Sequence, residues 1–133
     1  MRYLLDTNIL SEMVDAGIGS RALARMEEVG AAQCCTSVIV AGEALYGVEK
    51  RGSARLKAAV TGVLARLPVL PLSEPAPAHY SRLRVDLERL GMPIGSNDLL
   101  IAAHCLALGA ILVTDNVREF ERVAGLTVEN WLR

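Results

Sequence analysis

Short apolar runs alternate with longer helical stretches along the chain, and this alternation narrows the possible folds more than any other feature. Residues 2–5 read as a strand and 7–14 as a helix. Residues 20–29 form a second helix, with Ser20 at its start and Gly30 past its end. Residues 32–36 are the next candidate strand. A helix over 38–51 stops at Gly52, and Ser53 starts another that runs to Leu67. A short strand over 69–72 lies within 68–77, a stretch that holds four of the five prolines and is otherwise loop. Pro77 suits the start of a helix that Gly91 ends. Residues 96–108 are a further helix, 110–114 a strand, 118–123 a short helix and 127–129 an edge strand. Strands separated by helices pair in parallel through right-handed crossovers. The expected fold class is α/β: one domain over residues 1–133, three-layered, with a central parallel sheet flanked by helices.

With 133 residues, 52% of them apolar, the chain can bury a core of its own and is not a disordered one. No apolar run approaches the roughly 20 residues that span a bilayer, and no secretory signal is read at the N-terminus. The three cysteines include the neighbours Cys34 and Cys35, and no Cys-x-x-Cys occurs. A reducing, cytoplasmic setting follows as the expectation.

In parallel α/β sheets, ligands bind beyond the carboxyl ends of the strands. Asp6 directly follows the first strand and Asp115 directly follows residues 110–114, while Asp98 opens the helix before that strand. Glu43 comes from the helix after the second strand. Each acid also has a structural reading: Asp6 as a helix cap, Asp98 as a charge complementing a helix dipole, Asp115 as a turn residue. Two features favour a site. The helix 96–108 carries no charge except Asp98 and is apolar from Leu99 to Leu108 apart from His104, so its acid is expected to point inward. Glu43 has Ile39, Val40, Tyr46 and Gly47 as helical neighbours, and Lys50 as its single charged one.

Carboxylates that converge in one cleft repel each other unless a cation sits among them or some protonate. Oxygen ligands without a His/Cys set suit Mg²⁺, with Mn²⁺ as a substitute. Such an ion clamps phosphate oxygens and activates water, which points to metal-assisted phosphodiester hydrolysis. The net charge of −1 excludes strong nucleic-acid binding by bulk charge, so any phosphate-binding surface is local or works through the ion.

Four segments carry a family resemblance: Asp6-Thr7-Asn8-Ile9-Leu10; Gly42-Glu43-Ala44-Leu45-Tyr46-Gly47; the stretch from Ile94 to His104 containing Asn97-Asp98; and Val113-Thr114-Asp115-Asn116-Val117-Arg118-Glu119-Phe120. In this order and spacing they resemble the PIN-domain toxins of the VapC group, as does the end of the chain from Val123 to Trp131. The resemblance implies a Mg²⁺-dependent endoribonuclease that cuts tRNA or other structured RNA. It also implies a VapB-type antitoxin partner, operator DNA reached only through that antitoxin, and a homodimer. Carried over, Asp6 and Asp98 would hold the metal, and Glu43 would complete the cluster and position water. At the family's fourth place the acid usually stands two residues after the strand's Thr, where this chain has Asn116, with Asp115 before it. Charge favours Asp115, whereas side-chain alternation along a strand puts Asn116 on the face of Thr114. The expectation is that Asn116 faces the cleft and hydrogen-bonds water there, with Asp115 at the rim.

Arg51, Arg55 and Lys57, with Lys50, form a basic patch near the Glu43 helix, and Arg118 adjoins the fourth motif; these are the candidate RNA contacts. Tyr46 and Trp131 are expected to be packing residues. A haloacid-dehalogenase-like phosphatase would need an acid where Asn8 stands. A nuclease with a histidine base has only His79 and His104 to draw on, and neither has an evident partner. A PIN-like module that binds without cleaving is the remaining alternative, against which stands the presence of all three acids.

Overall fold

The computed structural model describes residues 1–133. Its elements are β1 (Tyr3–Leu5), α1 (Thr7–Ala16), α2 (Arg21–Val29), β2 (Cys34–Ser37), α3 (Val38–Arg51), α4 (Ala54–Ala65), β3 (Val69–Leu70), α5 (Ala76–Arg89), α6 (Ser96–Leu108), β4 (Ile111–Val113), α7 (Val117–Phe120) and β5 (Val128–Glu129). Every pairing is parallel, and the strand order is β3-β2-β1-β4-β5. The chain steps from β1 through β2 to β3 on one side, then returns to lay β4 and β5 on the other. The order therefore reverses between β1 and β4, and the crevice beyond their carboxyl ends is where such a sheet binds ligands.

Local chemistry explains where the elements end. Gly17, Gly52 and Gly109 stop α1, α3 and α6 at positive φ, which costs a glycine little. The strand expected over 69–72 stops at Leu70, because Pro71 has no N–H for the ladder. The strand expected from residue 32 starts at Cys34, after a 3-10 turn over Ala31–Gln33. The helix expected over 118–123 is a single turn, Val117–Phe120.

Leu4 and Leu5 of β1 and Leu112 and Val113 of β4 are fully buried, as the centre of a two-sided sheet requires. Helix α6 buries Leu99, Ile101, Ala102, Ala103, His104 and Cys105, which fixes its axis and hence the placement of its first turn. Thr36 Oγ1 donates to the Leu5 carbonyl at 2.7 Å, tying β2 to the end of β1. The His104 ring is buried and shares a hydrogen bond of 2.8 Å between Nδ1 and Ser37 Oγ, the hydroxyl that caps α3. No helix is long and apolar enough to cross a membrane.

The corner between α1 and α2 rests on Glu12. Its carboxylate accepts from Ser20 Oγ, from Arg21 N at 2.8 Å and from Ala22 N at 3.4 Å. Glu12→Ala therefore leaves donors of the α2 N-terminus without a partner. The expected loss is about 1–2 kcal/mol, read as a lower urea midpoint at unchanged slope.

Candidate active site

Asp6 is pinned at the sheet edge. Its backbone N–H still bonds the Val113 carbonyl at 2.9 Å, so the residue is the last that β4 holds in register. Its side chain is only 4% exposed. Oδ1 accepts from Thr7 N at 2.8 Å, capping α1, and Oδ2 accepts from Thr114 Oγ1 at 2.8 Å. Asn8, in the first turn of α1, locks the other side: its Nδ2 donates to Thr114 Oγ1 at 3.2 Å and its Oδ1 accepts from Asp115 N at 2.9 Å. The ends of β1 and β4 are thus knitted together by side chains on both.

Glu43 is held at both oxygens. Thr7 Oγ1 donates to Oε1 at 2.6 Å, and Asn97 Nδ2 donates to Oε2 at 3.3 Å. Asp98 stands in the first turn of α6, where an acid suits the helix dipole. Across Gly95 from it stands Glu119, from α7. Gly95 N donates to Glu119 Oε1 at 3.0 Å, and the Asn116 side-chain amide donates to Glu119 Oε2. A Cβ on Gly95 would lie 3.6 Å from Asp98 Oδ2 and 4.0 Å from Glu119 Oε1, so the two carboxyls flank this glycine.

The electrostatics follow from this crowding. Burial, and then the charge of Glu119 with those of Asp6 and Glu43, pushes the Asp98 carboxyl up to about 7. Burial also pushes Asp6 above the usual carboxylate range, against the hydrogen bonds from Thr7 and Thr114, and Glu43 and Glu119 push the same way. Burial presses upward on Glu119 as well, but the Gly95 N–H, the Asn116 amide, the Asp98 proton and Arg122 outweigh it and leave that group below its usual range. Of this pair, Asp98 is the one whose protonated form its surroundings favour.

The donor set is all oxygen, with no histidine or cysteine among its hydrogen-bond partners. As they stand, no three of these groups close into a ligand cage. The chemistry nonetheless fits a hard divalent cation: the neighbouring carboxylates raise the proton affinity of Asp6 and Asp98, and a cation relieves that repulsion in place of a proton. Asp6 and Asp98 are the residues best placed to hold one, with Glu43 and Glu119 beside them.

The PIN domain profile matches residues 3–126. The chain is 38% identical to a "Ribonuclease VapC2" of Haemophilus influenzae, over 99% of each sequence. It is 35% identical to a "tRNA(fMet)-specific endonuclease VapC" of Shigella flexneri, over 98% of each. This chain is a PIN-domain protein of the VapC group. Among solved structures, VapBC2 of Rickettsia felis bound to a promoter DNA fragment superposes with a TM-score of 0.89 at 36% identity, covering 98% of this chain and 99% of that one. DNA-bound VapBC of Salmonella typhimurium gives 0.88 at 34% identity, covering 98% of both.

Of the residues singled out in the sequence, Asp6, Glu43 and Asp98 come together. Asp115 stands exposed at the edge, accepting from Asn130 Nδ2 at 2.9 Å and lying 3.7 Å from Arg133 Nε. Asn116 stands half-buried beside these acids, its N–H donating to Thr114 Oγ1 at 3.0 Å and its side-chain amide to Glu119 Oε2, and Glu119, which was not singled out in the sequence, stands near Asp98. The chain has left the strand conformation there, with ψ at 52° on Asn116, so strand alternation does not govern where that side chain points. The signal for Glu119 was its spacing, three residues beyond Asn116 in the first turn of a helix, which brings the two onto one face. Tyr46 is not a packing residue; it is 66% exposed, with Lys50 Nζ 6.0 Å from its ring centre. Trp131 is buried against Tyr3, ring centres 5.4 Å apart. Arg51 borders a cavity of about 220 Å³ between α1, α3 and α4 that reaches Thr7 and Glu43. Arg55 and Lys57 on α4 and Arg118 on α7 are exposed.

The raised Asp98 carboxyl sets a pH dependence for the metal-free protein. An acid whose pKa rises on folding adds stability below its unfolded value of 3.8 and loses it as the pH climbs through about 7. In excess chelator the melting temperature should therefore fall between pH 5 and 8. Asp98→Asn should flatten that slope and melt a few degrees above the parent at pH 8. A variant that melts lower at pH 8 would make Asp98 a structural cap rather than a member of a repelling cluster.

Proposed function

We propose that this protein is the ribonuclease toxin of a VapBC-type toxin–antitoxin pair, and that it hydrolyses RNA at the Asp6–Glu43–Asp98–Glu119 cleft with Mg²⁺ or Mn²⁺. The observation that carries this reading is the convergence of four carboxylates, from four separate segments, at the switch point of the sheet in a chain of the VapC group. tRNA is the favoured substrate class, because relatives of matching length are named tRNA(fMet)-specific endonucleases. A VapB-type antitoxin is the proposed partner, since the similar solved structures are VapBC complexes. Operator DNA is reached through that antitoxin: a chain of net charge −1 has no bulk charge with which to bind duplex DNA itself. We place the protein in the cytoplasm, as a homodimer of one-domain subunits.

When bound, a divalent cation supplies charge to the phosphate oxygens and lowers the pKa of water. The chain's own groups do the remaining work. Asp6, fixed by Thr7 and Thr114, is a rigid acceptor at the floor of the cleft. Asp98, presented from the first turn of α6, would be the second acceptor for the ion. Glu43, gripped at both oxygens by Thr7 and Asn97, orients the attacking water and takes its proton. The water oxygen bonds to phosphorus, the bond from phosphorus to the 3′ oxygen breaks, and that oxygen takes a proton from solvent to leave as a hydroxyl, while Glu43 returns its proton to solvent. Arg51, Arg55, Lys57 and Arg118 are proposed to track the RNA backbone. Neither histidine serves as base, since His104 is sealed in the core on Ser37 and His79 lies on α5, in the cavity that Arg82 and Asp86 also line.

Asp98→Asn should lower the cleavage rate by roughly 100-fold or more, and excess chelator should abolish cleavage by the parent. Full cleavage in chelator by a preparation free of other nucleases would overturn the metal requirement.

End-group analysis of the cut RNA checks the direction of attack. The expected products carry a 5′-phosphate and a 3′-hydroxyl. A 2′,3′-cyclic phosphate would mean that the 2′-hydroxyl, not water, attacks phosphorus.

A further inference from the structure

The surface of α3 that leads away from the acid cleft carries an aromatic ring that the fold leaves bare. Tyr46 follows Glu43 by one turn and stands about 60° round the helix from it. Lys50 follows by one more turn, its ammonium 6.0 Å from the ring centre. The neighbouring strip of α3, through Ala44, Gly47, Val48 and Arg51, faces α4 across the cavity described above, which leaves Tyr46 outside that contact. The Tyr46 hydroxyl has no hydrogen-bond partner within the chain, and its ring is 66% exposed. Beyond it, Lys50, Arg51, Arg55 and Lys57 fall within eight residues that contain no acid. All four are exposed and none forms an ion pair.

Acid, ring and cations thus follow each other along one helix at single-turn intervals. This is the order in which a single strand of RNA presents a cleaved phosphate, the adjoining base and the next phosphate. Unstacked bases are recognised by stacking on aromatic side chains, and Lys or Arg beside the ring takes the backbone charge. A second copy of this chain is the other occupant such a ring could have. The setting argues against it, because the residues flanking Tyr46 on the cleft side are Glu43 and Lys50, and the cores of contacts between proteins are depleted of charge. The exposed apolar residues Val38 and Leu45 lie about 80° to 100° away, on the side turned from Glu43, and suit a second copy better.

We propose that Tyr46 is a stacking platform for the base next to the scissile phosphate of the RNA, with Lys50 and Arg51 holding the phosphate that follows. This rests on the ribonuclease reading above and adds to it the surface that grips the strand. Because every base has a flat face, the platform supplies affinity without naming a sequence.

The test is steady-state cleavage of unfractionated tRNA in Mg²⁺ by the full-length protein, with sedimentation of each variant. Tyr46→Leu keeps an apolar side chain but removes the ring. It should raise KM by roughly 5- to 150-fold and leave kcat within about twofold. Tyr46→Trp should restore KM towards the parent. Val85→Ala, at a comparably exposed apolar position on α5, should change neither value. The sedimentation coefficient of Tyr46→Leu should match that of the parent. An unchanged KM in Tyr46→Leu would overturn the platform while leaving the ribonuclease reading intact. A loss of oligomer in that variant would assign the ring to a contact between copies and overturn it as well. A parent that neither binds nor cleaves tRNA would remove the ribonuclease reading, and the platform with it.

Discussion

Mutual repulsion among four carboxylates at the seam of β1 and β4 is the constraint around which the rest of this structure is arranged. A buried carboxyl such as Asp6 can stay in place only if its oxygens are satisfied and its charge is answered. Thr7 and Thr114 satisfy the oxygens, and Asn8 fixes Thr114 in turn. These groups come from the segments that follow the two strands between which the order of the sheet reverses. The same short segment that starts α1 therefore also closes the gap between the halves of the sheet. The charge is answered differently: burial and the neighbouring acids raise the proton affinity of Asp98, and a cation would relieve the same repulsion.

The position of Asp98 depends on hydrophobic burial far from it. Helix α6 is sunk in the core by Ile101, Ala102, Ala103 and Cys105, each fully buried. At about 25 cal/mol per Å² of apolar surface removed from water, burying these side chains opposes the repulsion that their helix carries into the cleft at its first turn. The acid is consequently presented from a rigid element rather than from a loop, which gives a site its precision. Glu43 gains rigidity another way. It lies at the middle of a half-exposed helix, and what fixes it is a pair of hydrogen bonds from Thr7 and Asn97. The residues just after Asp6 and just before Asp98 thus both hold Glu43, so the three acids are oriented as a unit.

Much of this was legible in the sequence, and the exceptions have physical causes. The bounds of α3 and α6 could be read because glycines in the left-handed region end them, at Gly52 and Gly109. Asp6 and Asp98 could be read because one follows a strand and the other opens an apolar helix, and Glu43 because Lys50 is the single charged neighbour on its helical face. Glu119 could not be reached by the same route. Helix α7 is a single turn, too short to show a period, and the strand alternation applied to Asn116 ends at Thr114. Tyr46 was misread for a related reason. Helical spacing identifies neighbours on one helix but says nothing about which face a later helix will cover, and α4 covers the face next to Tyr46.

A net charge of −1 gives an RNA-binding protein no bulk attraction for its ligand, and the distribution of charge resolves this. The acids are gathered in one cleft, where crowding raises the proton affinity of Asp6 and Asp98, so their charge is concentrated there rather than spread over the surface. The unpaired cations of α3 and α4 stand exposed on the adjoining surface and are not neutralised by partners. An approaching polyanion meets these cations first, within the roughly 8–10 Å over which charge is felt in physiological salt, and meets the acids only at contact. At contact the acids repel phosphate unless a cation lies between. The same cluster that would cut RNA therefore also holds it off until the ion is present, and the local basic strip is what can keep the strand in reach of the cleft.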